Sequence, residues 1–242
     1  MSKSKFWLIA VGLLSSSASY ASISEYYPYK VTPSASNYGN TGILETPNAR
    51  MMPEGQLRFN FSSSFPNEYT SLTASPFPWL EATYRYVEIK NVKYGPASYS
   101  GNQSLKDKGF DLKTLVRKET AYLPAVSIGL RDIAGSGDFS SEYIVSSKKF
   151  GPLDLSIGLG WGILGTDDNI SSPLESFNEG FKTRDDDSEL GGSFTIGNWF
   201  SGDTALFGGI EYDLPKRGLR LKMEYDTSNP DARGSVFKVH SR

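Results

Sequence analysis

Apolar and polar residues alternate along most of the chain after residue 55. The clearest stretch is 153–163, where every second residue is Leu, Ile or Trp and the residues between them are Asp, Ser and Gly. The same period of two is found in four further stretches, at 56–61, 80–86, 110–117 and 219–226. Because successive side chains of a strand point to opposite faces, this period predicts strands with one apolar and one polar face.

Weaker alternation predicts five more strands between the clear ones. They are placed at about 68–75, 124–133, 139–149, 191–199 and 204–213. Short connections rich in turn-forming residues are expected at Asp132–Gly137 and Leu214–Gly218, and a longer polar loop at 164–190. No window has the periodicity of a helix. The pattern therefore predicts an all-β chain of about ten antiparallel strands in up-and-down order.

The first residues are typical of a secretory signal peptide. Lys3 and Lys5 precede an apolar run at 6–14, and Ser19 and Ala21 are the small residues expected before a cleavage site. A membrane anchor is the alternative, but the apolar run is too short to span a bilayer. We therefore expect a secreted chain that is cut after Ala21.

Pro and Gly divide the remainder of the chain. Residues 22–55 are rich in Pro, Gly, Ser, Asn and Tyr, which predicts an irregular N-terminal segment. Residues 56–226 carry the alternation and are expected to form one β-barrel domain. Residues 227–242 lose the alternation and are expected to be an irregular tail.

Alternation alone leaves two β architectures open. A soluble sandwich turns its apolar faces into a core, whereas a transmembrane barrel turns them to lipid. Aromatic residues near strand ends resemble the girdles of membrane barrels and favour the second reading. These residues are Trp79, Tyr84, Tyr86, Trp161, Tyr212 and Tyr225.

Composition removes several classes of function. The chain has no cysteine, so we expect no disulfide, no thiolate metal site, no cysteine nucleophile and no lipid-anchored cysteine. The net charge is −2 with both signs dispersed, which gives no basic footprint for nucleic acid. The one histidine, His240, cannot by itself supply a triad or a multi-histidine metal site.

Candidate chemical motifs are weak. The run Gly160–Gly165 matches a dinucleotide fingerprint, but Asp167, Asp168 and then Pro173 follow in place of the helix that the fingerprint requires. Five glutamates on or near predicted strands could supply a glycosidase pair, although ion-pair partners in a barrel interior are the more ordinary reading. They are Glu81, Glu119, Glu142, Glu211 and Glu224. The acidic loop residues Asp185–Asp187 do not have the spacing of a calcium loop.

Several blocks together resemble the YjbH family. The first is Asn37-Tyr38-Gly39-Asn40-Thr41-Gly42-Ile43-Leu44-Glu45-Thr46-Pro47-Asn48-Ala49-Arg50, followed by Pro53-Glu54-Gly55. Others are Pro78-Trp79-Leu80-Glu81-Ala82, Gly129-Leu130-Arg131-Asp132, Phe139-Ser140-Ser141-Glu142-Tyr143, Phe207-Gly208-Gly209-Ile210-Glu211-Tyr212 and Leu221-Lys222-Met223-Glu224-Tyr225. The resemblance implies an outer-membrane β-barrel linked to the synthesis or export of exopolysaccharide or capsule, and it brings no catalytic residues.

One departure qualifies the expected barrel. Members of that family are usually much longer, and this sequence stops soon after Tyr225 without an aromatic-ended last strand. We therefore expect a truncated N-terminal portion and a complete or partial barrel of about ten strands.

The function expected is that of a non-enzymatic outer-membrane β-barrel assisting exopolysaccharide biosynthesis or export. Its expected partners are outer-membrane lipid, and exopolysaccharide and other envelope secretion components as candidates. No catalytic, cofactor-binding or metal-binding residue is assigned, and no cofactor is expected. The alternative is a secreted or periplasmic β-sandwich that binds or hydrolyses polysaccharide.

Overall fold

The computed structural model describes residues 33–133, 135, 139–184, 196–214 and 218–228. All of the described residues belong to one compact unit. The predicted signal peptide and all of the predicted tail except residues 227 and 228 lie outside the described residues. In the part of the chain that is described, no helix is both long and apolar enough to cross a membrane.

Nine strands form one antiparallel sheet in which each strand is hydrogen-bonded to its neighbours in sequence. They are β1 (Leu57–Ser64), β2 (Asn67–Phe77), β3 (Leu80–Lys93), β4 (Ser104–Arg117), β5 (Ala125–Arg131), β6 (Ser141–Phe150), β7 (Leu153–Trp161), β8 (Thr204–Leu214) and β9 (Leu219–Tyr225). One helical turn, α1 (Ala97–Ser100), and short 3₁₀ turns lie in the connections. The prediction of an all-β, up-and-down antiparallel fold is confirmed, and the sheet curls into a half-barrel whose described edges are β1 and β9.

The strand expected at 191–199 is not found where the structure describes that stretch. Ile196–Asn198 form a 3₁₀ turn, while residues 191–195 lie outside the described residues. Gly197 and Asn198 interrupt the weak alternation there, and both residues favour turns over strands. The other nine predicted strands are present, and β3 and β4 are longer than predicted.

The connections differ between the two ends of the sheet. At one end, here called the short-turn rim, the strands are joined by residues 78–79, 118–124, 151–152 and 215–218. At the other end, the long-loop rim, they are joined by residues 65–66, 94–103, 132–140 and 162–203. Gly151 and Gly218 have positive φ in two of the short turns, a backbone conformation that glycine adopts without steric cost.

The two faces of the sheet have the opposite burial from that of a soluble protein. On β3, Glu81, Thr83 and Arg85 are buried, and the same face of the other strands carries most of the buried charged residues. On the opposite face, Leu57, Phe59 and Phe61 of β1 are 67%, 71% and 63% exposed. We call these the polar face and the apolar face. The polar face is the buried one because another part of the chain lies across it.

Candidate functional site

Residues Ser34–Met52, here called the plug segment, cover the polar face. The segment has no regular element, and two isolated bridges, Ala35 with Thr41 and Gly42 with Pro47, fold it back on itself. Tyr38, Ile43, Ala49 and Met52 are each at most 2% exposed. The irregular segment predicted from Pro and Gly is thus packed against the sheet rather than extended away from it.

Two glycines allow the plug segment to take this path. Gly39 has a φ of +94°, and a Cβ there would lie 1.7 Å from the Oγ of Ser71 on β2. A Cβ on Gly42 would lie 2.8 Å from the backbone oxygen of Thr46. Any larger residue at either position would have to move the segment off the sheet or open its turn.

Side chains of β3 and β4 bind the backbone of the plug segment. Glu81 accepts hydrogen bonds from the backbone N–H of Thr41 at 3.0 Å and of Met52 at 2.5 Å. Lys113 donates to the carbonyl of Thr41 at 2.9 Å and to that of Arg50. The Glu81 and Lys113 charges lie 4.0 Å apart and are both fully buried, so each offsets the desolvation of the other.

The last strand binds the middle of the plug segment in the same way. Glu224 of β9 accepts from the backbone N–H of Leu44, Glu45 and Thr46 at 2.9, 2.8 and 3.1 Å, and from the Thr46 hydroxyl at 2.8 Å. Lys222 donates to the carbonyls of Gly42 and Ile43. The polar face thereby joins residues that are about 180 positions apart in sequence.

Arg50 fixes the far end of the plug segment. Its guanidinium donates two hydrogen bonds to Asp154, at 2.8 and 2.7 Å, and one to Glu119 at 2.5 Å. Burial lowers the pKa of Arg50, but the two carboxylates outweigh burial and raise it. Burial likewise raises the pKa of Glu119, but the backbone N–H of Lys149 and the side chains of Arg50 and Lys148 outweigh it and hold that pKa below its usual range.

A second cluster lies near the long-loop rim. The Arg85 guanidinium stands over the rings of Tyr38 and Phe139, at 5.2 and 4.9 Å, and 3.5 Å from Asp111. The Arg131 guanidinium is 4.0 Å from the Tyr38 ring, so the plug tyrosine is held by two cations. Asp132 follows β5 and accepts from the Phe139 N–H at 3.2 Å. Burial raises the pKa of Asp132 to about 7. The positive charge of Arg85 opposes this rise, and the negative charges of Asp107 and Asp111 add to it.

The five glutamates weighed as a catalytic pair all bind donors. Glu81 and Glu224 hold the plug segment, and Glu119 binds Arg50 and Lys148. Glu142 accepts from Arg184 at 2.7 and 3.0 Å and from the N–H of Phe200. Glu211 accepts from Asn48 of the plug segment at 3.0 Å. Each carboxylate therefore has a structural use.

One sequence-based assignment, that of Trp161 to an aromatic girdle, is corrected by the structure. Trp161 is 1% exposed and donates to Ser172, because the loop after β7 folds over it, so it is not a girdle residue. Trp79, by contrast, is exposed and stacked on Phe77 with their ring centroids 5.4 Å apart.

The remaining candidate motifs supply no ligand site in the described residues. Gly162–Gly165 form a 3₁₀ turn, and no α-helix follows them in the described part of the loop. No group of three or more metal-ligating side chains occurs in the part of the chain that the structure describes. His240 and Asp185–Asp187 lie outside the described residues.

Sequence reasoning missed the partners that the plug segment itself supplies. Its contacts use Arg50, Asn48 and many main-chain groups, and the Oγ of Ser147 accepts from the Ala49 N–H at 2.8 Å. The available signal was the block Asn37–Arg50, whose resemblance to a family does not reveal which groups it contacts.

Comparison with known proteins gives one family. The YjbH family model, described as "Exopolysaccharide biosynthesis protein YbjH", matches residues 34–239. The chain is 43% identical over 220 residues to an Escherichia coli K12 protein named "Uncharacterized lipoprotein YjbH". The match covers 90% of this chain and 32% of that relative, so the chain spans about a third of the relative's length. No solved structure matches.

Proposed function

Because the chain belongs to the YjbH family of exopolysaccharide biosynthesis proteins, we propose that it is a non-enzymatic β-barrel component of the bacterial outer membrane that assists synthesis or export of a surface polysaccharide. The observation that carries the proposal is the reversed burial of the sheet, with charged residues inside and large apolar residues outside. A soluble sheet would bury the apolar face against a second layer. All nine described strands belong to one sheet, so no second sheet covers that face in the part of the chain described.

The large apolar residues of the apolar face form a band that ends before the long-loop rim, as expected of a surface that faces a bilayer of limited thickness. On β3 the outward residues are Leu80, Ala82, Tyr84 and Tyr86, and then the outward positions become Glu88 and Lys90. The neighbouring strand changes one outward pair earlier, since Phe110 pairs with Tyr84 but Lys108 pairs with Tyr86. Tyr84 and Phe110 have their ring centroids 5.2 Å apart. Nothing requires the surface of a soluble protein to change from apolar to polar residues at a similar position on neighbouring strands. A lipid-facing surface must change in this way where the bilayer ends.

The rims support an orientation. Bacterial outer-membrane barrels have short periplasmic turns and longer outer loops. The short-turn rim is accordingly the periplasmic side and the long-loop rim the outer side. The plug segment begins near the short-turn rim, where the Ser34 hydroxyl donates to Glu211 and accepts from Arg220. A chain secreted through the inner membrane would reach the barrel interior from that side.

The non-enzymatic part of the proposal rests on how the carboxylates are used. A glycosidase needs one carboxylate that can donate a proton and a second that can attack or activate water. Here Glu81, Glu224 and Glu119 are each occupied by several donors, as described above. Such contacts serve to hold the plug segment.

The first experiment is extraction. We expect the mature chain to remain in the membrane fraction after osmotic shock, to need detergent for release, and to migrate differently on a gel when it is not heated. Release by osmotic shock would contradict the membrane proposal. Loss of surface polysaccharide on deletion of the locus, and its return on complementation, tests the export part separately.

A pair of substitutions tests the apolar face directly. Ile157 on β7 is 61% exposed within the band, and Tyr99 in α1 is 83% exposed at the long-loop rim. Replacing Ile157 with Arg should lower insertion into lipid vesicles by about 2–4 kcal/mol, the cost for a cation near the middle of a bilayer. The same change at Tyr99 should have little effect. Equal effects at both positions would contradict a lipid-facing surface.

A further inference from the structure

Many of the hydrogen bonds between the polar face and the plug segment are made to main-chain groups of that segment. Glu81 and Glu224 accept backbone N–H groups, whereas Lys113, Lys222 and Arg131 donate to backbone carbonyls, the last to Glu45 at 2.8 Å. Carboxylates, cations and hydroxyls that bind alternating donors and acceptors of a chain can also bind the hydroxyls of a sugar polymer, since each hydroxyl donates once and accepts twice. The polar face therefore presents the kinds of polar groups that can bind a sugar polymer.

The seated plug segment leaves several buried groups of the face without partners in the described structure. They are Nε and Nη1 of Arg85, Nε of Arg131, the Tyr143 hydroxyl, and the Oγ atoms of Ser71 and Ser141. Arg85 and Tyr143 are fully buried. Buried polar groups that lack a partner destabilise the state in which they occur. The covered face thus has more hydrogen-bonding groups than the plug segment binds.

Aromatic rings of the face would become available when the plug segment leaves. Tyr38 covers Tyr69, with ring centroids 5.1 Å apart, and also lies against Arg85 and Arg131. Aromatic rings beside charged side chains are suited to stacking against sugar rings while the charges bind the hydroxyls. The arrangement adds an aromatic platform to the hydrogen-bonding groups described above.

We propose that the polar face is a binding site for a polyhydroxylated glycan chain and that the plug segment is its displaceable occupant, which must leave for the glycan to bind. This inference rests on the proposed role in polysaccharide export and specifies its site. It requires the plug segment to separate from β6, where the Ala49 N–H binds Ser147.

A reversible lock tests the separation. The chain has no cysteine, so an introduced pair is the only one present. Ala49→Cys with Ser147→Cys joins the plug segment to β6, because the Ala49 N–H and the Ser147 Oγ are only 2.8 Å apart. Ala74→Cys with Ala82→Cys is the matched control, since these residues are paired across β2 and β3 and the bond leaves the plug segment free.

The expected result is loss of surface polysaccharide from cells with the oxidised Ala49/Ser147 pair, with recovery when the disulfide is reduced. The Ala74/Ala82 pair should retain polysaccharide in both states. Wild-type polysaccharide from the oxidised Ala49/Ser147 pair would overturn this inference while leaving the export role standing. Wild-type polysaccharide from a strain that lacks the chain would instead overturn the export role.

A second measurement does not depend on export. The single variant Ala49→Cys, purified in detergent, places one thiol within the plug segment, at a position that is 2% exposed. Polysaccharide extracted from wild-type cells should increase its rate of modification by a maleimide several-fold, whereas the same mass of dextran should increase it less. An unchanged rate with the extracted polysaccharide would overturn displacement by glycan.

Discussion

Glu224 offers the sharpest test of how the plug segment is held. Its carboxylate accepts three backbone N–H groups and one hydroxyl from Leu44–Thr46, at distances between 2.8 and 3.1 Å. Hydrogen bonds to a charged group contribute about 1.5–3 kcal/mol each, and bonds that share one acceptor are not additive. Because Glu224 is only half-buried, we expect Glu224→Ala to weaken the seating of the plug segment by about 3 kcal/mol. That corresponds to an increase of about 100-fold in its opening equilibrium.

Amide hydrogen exchange at Leu44, Glu45 and Thr46 measures this opening directly. Exchange there should accelerate by about two powers of ten in Glu224→Ala, and less in Glu224→Gln, which keeps an acceptor but loses the charge. Glu68→Gln is the control, because Glu68 pairs with Lys90 on the sheet and not with the plug segment. If Glu224→Ala exchanged these amides no faster than Glu68→Gln, the carboxylate would not be what holds the segment.

Three further predictions concern stability. Arg50→Ala removes the ion pairs with Glu119 and Asp154 and should lower the free energy of unfolding, measured by urea titration, by about 2 kcal/mol. Arg50→Lys should have an intermediate effect, because lysine keeps the charge but cannot donate to both carboxylates as the planar guanidinium does. Gly129→Ala should cost about 2 kcal/mol, since its Cβ would lie 2.1 Å from the Tyr143 ring, whereas Gly95→Ala meets nothing nearer than 3.6 Å and should be neutral. The pKa of Asp132 is raised from 3.8 to about 7, so the folded protein binds more protons than the unfolded chain between those values and its stability falls as pH rises through that window. Asp132→Asn should therefore match wild type below pH 4 and be more stable above pH 7, by at most about 4 kcal/mol, and a pH-independent difference would contradict the assignment.

The strands were predictable because alternation is a local property of the chain. β7 and β9 begin where the pattern begins, at Leu153 and Leu219. The prediction failed where the environment changes along one strand. β3 continues to Lys93, but its inward residues become Val87 and Ile89 and its outward residues become charged, so the reversed polarity concealed the continuation.

Only the part of the candidate site that lies on the strands could be predicted from the sequence. The charged residues of the polar face could be assigned to one side by alternation, since a period of two fixes the face of each residue. Their partners could not be assigned, because most of them are main-chain groups, which every residue carries. The three hydrogen bonds that the backbone N–H groups of Leu44, Glu45 and Thr46 donate to Glu224 do not depend on the side chains of those three residues.

The same contacts explain why charged residues occupy the inside of this sheet at all. An interior of charges is costly unless each charge is paired, and the plug segment supplies pairs for both signs at once, N–H groups for Glu81 and carbonyls for Lys113. A purely structural interior could avoid the cost with apolar residues of similar size. The polar interior is therefore better explained by a state in which the plug segment is absent and another polar chain takes its place, which is the state that the disulfide between residues 49 and 147 would prevent.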